Sequence, residues 1–182
     1  MNITPLLSTS ERKKIIGAVL FQTEPLSVNE IAGRLQLSKG LVSKYLDLLA
    51  KEGGAKRING KFIVDHSAPL VKGLKVLLNI EGIYLGFLKK FPAIEAVGLY
   101  GSCAKGENTL DSDVDLWIFV RQMKEEEKAA LGAEIRKKIK NVKPLFLTGQ
   151  KLKALKKEDE LFYHALSFGS ITLYGIPSVL EL

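Results

Sequence analysis

The sequence predicts an α+β chain in two parts, and three observations predict it. Residues 1–66 string together capped helical stretches and end on one Asn-Gly hairpin signal. Residues 94–182 alternate short apolar strands with charged helical stretches. Residues 67–93 keep helical spacing and read as a linker or scaffold between the two. An apolar share of 46% and a charged share of 26% are ordinary for a globular chain and exclude wholesale disorder or a fibrous repeat. At 182 residues the chain has room for one or two domains of about 100–200 residues each.

In the first part, Ser10 is expected to cap a helix from Glu11 to about Phe21, with Ile15, Ile16, Val19 and Leu20 on its inner face. Thr23-Glu24-Pro25 stops it. Ser27 caps a second helix, and Glu30, three residues on, has the spacing of a capping box. Ile31, Leu35 and Leu37 supply its apolar side. Ser38 caps a third helix that runs to about Glu52 and ends at Gly53-Gly54. Its apolar face is Val42, Tyr45, Leu46 and Leu49. Lys56-Arg57-Ile58 and Lys61-Phe62-Ile63-Val64 then flank Asn59-Gly60, the dipeptide that favours a two-residue hairpin turn.

Charge and cysteine content bound the setting. The chain has 27 Lys and Arg against 20 Asp and Glu, net +7, which favours polyanionic partners such as nucleic acid or nucleotide phosphates. Residues 1–66 carry 10 basic and 6 acidic residues, more than their share of the excess. The single cysteine, Cys103, excludes an internal disulfide and fits a reducing, cytoplasmic setting. It reads as a small packing residue. With two histidines beside it, a thiol-based zinc site is not expected. The longest apolar run, Ile15–Phe21, is far shorter than the ~20 residues a bilayer span needs. It lacks a small-residue cleavage site and reads as the first helix, so no membrane partner is expected.

The order of helices and hairpin in residues 1–66 resembles the winged helix-turn-helix family, with Leu37–Gly53 similar to its recognition helix. The resemblance implies DNA binding. Lys39, Ser43 and Lys44 would meet base edges and phosphates, and Lys56, Arg57 and Lys61 would lie on the wing. A homodimer reading a symmetric site is a further expectation. No Arg stands on the expected reading face, so no base preference can be assigned. The alternatives are a protein-binding module or a solvated charged surface.

The chemistry of the second part lies between residues 96 and 120. Ala96–Tyr100 reads as a buried strand followed at once by Gly101-Ser102. Ten residues later come Asp113-Val114-Asp115, and Leu116–Val120 continues a second strand. Asp113 and Asp115, two apart on a strand, point to one face, and Val114, Leu116, Ile118 and Val120 to the other. Two carboxylates so close repel each other without a cation, and hard oxygen ligands of this kind suit Mg²⁺. Gly101 allows a tight turn and close backbone approach. Ser102 adds a hydroxyl at the start of a short helix. The two pieces together make a triphosphate cradle facing a metal-binding pair. Trp117 and Phe119 share the parity of the aspartates and are expected to pack under a helix.

This Gly-Ser, ten residues, Asp-x-Asp arrangement resembles the nucleotidyltransferase superfamily related to DNA polymerase β, and within it the minimal nucleotidyltransferases. The resemblance runs from about Ala96 to Tyr174. It implies a mixed β-sheet with covering helices in residues 94–182. It implies that Gly101 and Ser102 hold nucleotide phosphates, with Lys105 and Ser112 beside them. Asp113 and Asp115 would hold one or two Mg²⁺ ions, with ATP or another nucleoside triphosphate as substrate. The superfamily usually adds a third carboxylate on a later strand. Here the expected strand, Val142–Thr148 after a helix from about Met123 to Lys140, has Lys143 or Pro144 at that position. No acid occurs between Glu134 and Glu158, and Glu158-Asp159-Glu160 reads as a helix start. Leu161, Phe162, Ala165 and Leu166 would form that helix's apolar side, and Ile171–Tyr174 the last strand. His164 is expected to be a surface or partly buried structural residue, and His66, at the junction of the two parts, carries no visible chemistry.

Two functions follow. The first is a Mg²⁺-dependent transfer of a nucleoside monophosphate, AMP from ATP, onto an acceptor. By the resemblance the acceptor could be a partner toxin protein, as in antitoxins that modify a HEPN toxin. The second is a DNA-binding regulator whose degenerate transferase domain senses nucleotide or binds protein. The departure at the third carboxylate leaves turnover open. Three readings follow: the site acts with two carboxylates plus substrate groups, another residue substitutes, or the site binds nucleotide, or nothing, without turnover.

Overall fold

The computed structural model describes residues 4–176 and residue 180. The chain divides into two compact units, Met1–Leu78 with Gly106–Asp111, and Asn79–Lys105 with Ser112–Leu182.

The first unit opens on a short helix, α1 (Thr4–Leu7), then α2 (Ser10–Val19), α3 (Val28–Leu35) and α4 (Lys39–Lys51). Thr9, not Ser10, caps α2: its hydroxyl accepts from the Arg12 N–H, and Ser10 is the first helical residue. Both residue types cap well, so composition alone could not choose between them. Ser27 and Glu30 form the reciprocal capping box at α3, and Ser38 caps α4 through the Leu41 N–H. Strands β1 (Ala55–Ile58) and β2 (Lys61–Val64) pair antiparallel around Asn59 and Gly60, both left-handed at φ 50° and 76°. That is the two-residue turn whose twist suits a hairpin. Phe62 also makes an isolated antiparallel bridge through its backbone with Leu26.

The expected inner faces pack together. Ile15, Ile16 and Val19 of α2 meet Ile31 of α3 and Val42, Tyr45, Leu46 and Leu49 of α4, with Phe62 beneath them. The long helix α5 (Pro69–Gly82) contributes Leu70, Val71 and Leu74 to this core. Lys75 is also buried. Its ammonium donates to the Asn108 carbonyl at 2.6 Å, contacts the His66 ring nitrogen at 3.0 Å and lies over Phe21. The other ring nitrogen of His66 contacts the Gln22 carbonyl at 2.9 Å.

The second unit is a four-stranded mixed sheet in the order β5-β4-β3-β6, formed by β3 (Ile94–Tyr100), β4 (Val114–Val120), β5 (Val142–Leu147) and β6 (Ile171–Gly175). β3 runs antiparallel to β4 and β6, and β5 runs parallel to β4. Between the strands lie α6 (Gly101–Lys105), α7 (Glu125–Lys138), α8 (Gly149–Glu158) and α9 (Glu160–Gly169). The stretch from Ile83 to Leu88, expected to be helical, is a 3₁₀ turn over Gly86–Lys90.

The alternation along β4 sorts its side chains as the sequence predicts. Leu116, Ile118 and Val120 pack with Leu131 and Ile135 of α7. Trp117 and Phe119 pack on the other face with Leu152 of α8 and Tyr163 and Leu166 of α9. Two expectations fail here. Helix α8 was not expected, because Lys151, Lys153, Lys156 and Lys157 mask its two inward leucines, Leu152 and Leu155. The inner face of α9 is Phe162, Tyr163 and Leu166, two of which the sequence places there. Leu161 and Ala165 are exposed, Leu161 at 86%. Asp159 caps α9 through the Phe162 N–H, which sets the rotation that turns Leu161 outward.

Candidate nucleotide and metal site

The site is built where β3 ends beside the start of β4. Tyr100 pairs with Asp115 across the two strands. The chain then turns at Gly101, whose φ of +70° lies in the left-handed region. A Cβ on Gly101 would overlap the Asp115 carboxylate, so only glycine lets that carboxylate lie against the turn. Ser102 follows in the first turn of α6, half-buried.

Below the turn, Cys103 is buried and its thiol donates to the Asp113 carbonyl at 3.3 Å. Asn79 donates to the Cys103 carbonyl at 2.9 Å. Burial, followed by the charge of Asp115, pushes the Cys103 thiol above its ordinary range. Both effects favour the neutral thiol, the less reactive form.

Asp113 sits just before β4 and Asp115 within it, and both are half-buried. Burial first, and the neighbouring Asp113 second, raise the Asp115 carboxyl above its usual value, while Lys143 opposes them. Burial and a like charge both disfavour the ionised carboxylate, and a nearby cation favours it. Tyr100 is raised as well, by burial and by the charge of Asp115, and its ring meets Phe162 edge-on at 6.1 Å.

Lys143 occupies the position where the third carboxylate was expected. In the β4–β5 register it lies directly across from Asp115, and Pro144 lies across from Leu116. The Lys143 ammonium stands 2.5 Å from Asp113 Oδ2, and this hydrogen bond raises its own pKa. The sequence puts Lys143 at this position but does not show its contact with Asp113. The signal that could have found it is parity: Lys143, Leu145 and Leu147 alternate as Asp115, Trp117 and Phe119 do.

The other candidates fall as follows. Ser112 immediately precedes Asp113 and is half-buried. Lys105 is exposed at the end of α6 away from Gly101. Lys39, Ser43 and Lys44 are on α4, Lys56 and Arg57 on β1, and Lys61 opens β2. All but the half-buried Ser43 are exposed. Asp47 gathers two of them, accepting from the Ser43 hydroxyl at 3.4 Å and pairing with Arg57 at 3.5 Å. Arg57 also lies over the Phe62 ring. Lys56 pairs with Asp65 at 3.3 Å.

The donor set fits a hard divalent cation. The Asp115 carboxylate lies against the Gly101 turn with Asp113 two residues before it, and Mg²⁺ commonly takes one or two carboxylates and completes its shell with water and phosphate. Among the described residues, no cluster of three or more His, Cys, Asp or Glu side chains is placed to hold a metal. No described helix is long and apolar enough to cross a membrane.

No curated protein matches the chain. Several solved structures do. A toxin–antitoxin complex with AMP-PNP is 14% identical over 59% of this chain and 77% of that one, with a TM-score of 0.38. A mutant of the toxin–antitoxin pair MntA-HpeT is 13% identical over 52% and 72%, with a TM-score of 0.39. The complex of a tri-AMPylated Shewanella oneidensis HEPN toxin with MNT antitoxin is 12% identical over 60% and 77%, with a TM-score of 0.35. Residues 81–167 match the family model of the nucleotidyltransferase domain, a span that holds the Gly101-Ser102 turn, both aspartates and Lys143.

Proposed function

We propose that this chain is a divalent-metal-dependent nucleotidyltransferase that moves AMP from ATP onto an acceptor hydroxyl, and that residues 1–66 form a DNA-binding winged helix-turn-helix domain. The observation that carries the transferase reading is the Asp115 carboxylate lying where a side chain on Gly101 would be, with Asp113 on the adjoining residues of the same strand entry.

Asp113 and Asp115 would hold Mg²⁺. When bound, that ion supplies positive charge to the attacking and leaving oxygens of an in-line phosphoryl displacement. The chain's own residues do the rest. Gly101 leaves room for the Asp115 carboxylate against the turn, and the Ser102 and Ser112 hydroxyls would bind nucleotide phosphate. Lys105 adds a positive charge from the far end of α6. Cys103 pins the Asp113 backbone through its carbonyl, which fixes where one carboxylate starts. Resemblance to the minimal nucleotidyltransferases supports a partner toxin protein as acceptor.

The test is transfer of label from α-phosphate-labelled ATP to protein, with pyrophosphate released. Asp113→Asn is expected to lower the rate at least a hundredfold, a loss of about 2.7 kcal/mol of transition-state stabilisation. Equal labelling by the variant would refute the assignment.

A second reading is favoured by Lys143 standing at the third position: a DNA-binding regulator whose transferase site binds nucleotide without turnover. The two readings are compatible, because one chain can regulate through residues 1–66 and bind nucleotide through its second unit. DNA binding is expected to weaken with salt as counterions are released, and Lys44→Ala with Arg57→Ala should reduce the slope of log affinity against log salt by about 2. An unchanged slope would remove these two residues from the interface.

A further inference from the structure

We infer that Lys143 is a built-in cation of this site and that a divalent ion binds by displacing its ammonium from Asp113. The inference rests on the metal-site reading above and adds to it the residue that the ion must compete with.

Register fixes where Lys143 stands. β5 is parallel to β4 with Asp115 opposite Lys143, Trp117 opposite Leu145 and Phe119 opposite Leu147. Leu145 and Leu147 pack into the same apolar cluster as Trp117 and Phe119. A one-residue slip would take Leu145 and Leu147 out of this cluster and turn Phe146 away from the opposite one, so the register keeps Lys143 on the strand face that Asp115 shares.

Contact gives the consequence. The ammonium lies 2.5 Å from Asp113 Oδ2, on one of the two carboxylates that would hold the ion. Two cations cannot share one carboxylate oxygen at contact distance without strong repulsion. The lysine side chain is 66% exposed on a flexible stem, so it can swing into solvent when an ion arrives. The outcome is competition, not exclusion. The free site is already part-neutralised, and nucleotide phosphates, which add negative charge, would favour the exchange of ammonium for metal.

Titration of Mn²⁺ into the full chain without nucleotide, followed by calorimetry and by the electron paramagnetic resonance signal of free Mn²⁺, tests this. Lys143→Ala is expected to bind Mn²⁺ about fivefold more tightly, the scale of an exposed ion pair. Lys143→Arg should stay near wild type, because it keeps the charge. Lys138→Ala, which removes one positive charge from the last turn of α7, should also stay near wild type. Unchanged affinity in Lys143→Ala, with binding lost in the Asp113→Ala, Asp115→Ala variant, would overturn the role of Lys143 and leave the metal site standing. Equal tightening in Lys138→Ala would reduce the effect to bulk charge and overturn it too. Absence of Mn²⁺ binding in both wild type and Lys143→Ala would overturn the metal site and this inference together.

Discussion

Gly101→Ala is expected to cost the protein its metal-nucleotide affinity while leaving it folded. Two effects combine. Alanine at φ +70° pays the left-handed penalty of about 1–2 kcal/mol. Its methyl group also claims the space of the Asp115 carboxylate. That carboxylate is the end of a short side chain, so it can rotate away at modest cost to stability. It then no longer faces the turn. Mg²⁺-ATP affinity should fall more than tenfold, or about 1.4 kcal/mol, with a stability loss of about 2 kcal/mol. Calorimetric titration beside a thermal melt separates the two effects. Near wild-type affinity in a folded Gly101→Ala protein would show that the Asp115–Gly101 contact has no part in binding.

Gly98→Ala is expected to strike the fold itself. Gly98 pairs with Trp117 across β3 and β4, and the indole lies over the bare glycine backbone. A methyl group there would overlap the indole ring, which is fully buried and cannot move aside. Overpacking of this kind costs about 3 kcal/mol, which in a chain of this size lowers the melting temperature by roughly 10 °C. The cost should shrink in a Trp117→Leu background, where the ring is gone, so the two substitutions should be strongly non-additive. Additive losses would mean that the close packing of Gly98 on Trp117 is not what sets the cost.

Much of this architecture is legible in the sequence because local signals agree with one another. Ser27 with Glu30, Ser38 at α4 and the Asn59-Gly60 turn each act within a few residues, and each stands where the pattern puts it. The parity of Asp113 and Asp115 against Leu116, Ile118 and Val120 follows from strand geometry alone. What escaped the sequence depends on tertiary partners. Helix α8 has a lysine-rich surface and only two inward leucines, so its periodicity is weak. On α9, Leu161 and Phe168 look like core but stand in solvent, with His164 stacked on Phe168 at 5.5 Å. The pairing of Lys143 with Asp113 needs the β4–β5 register, which no single strand reveals. The buried Lys75 was likewise unmarked, since its partner, the Asn108 carbonyl, is 33 residues away along the chain.

The measurement that tests the central claim most directly is calorimetric titration of Mg²⁺-ATP into the full chain and into its Asp113→Ala, Asp115→Ala variant, with and without Mg²⁺. The account predicts binding by the wild type that requires Mg²⁺ and is lost in the variant, whose fold a thermal melt should show intact. Binding that persists in the variant, or no binding by the wild type, would contradict the assignment of Gly101, Ser102, Asp113 and Asp115 as a nucleotide and metal site.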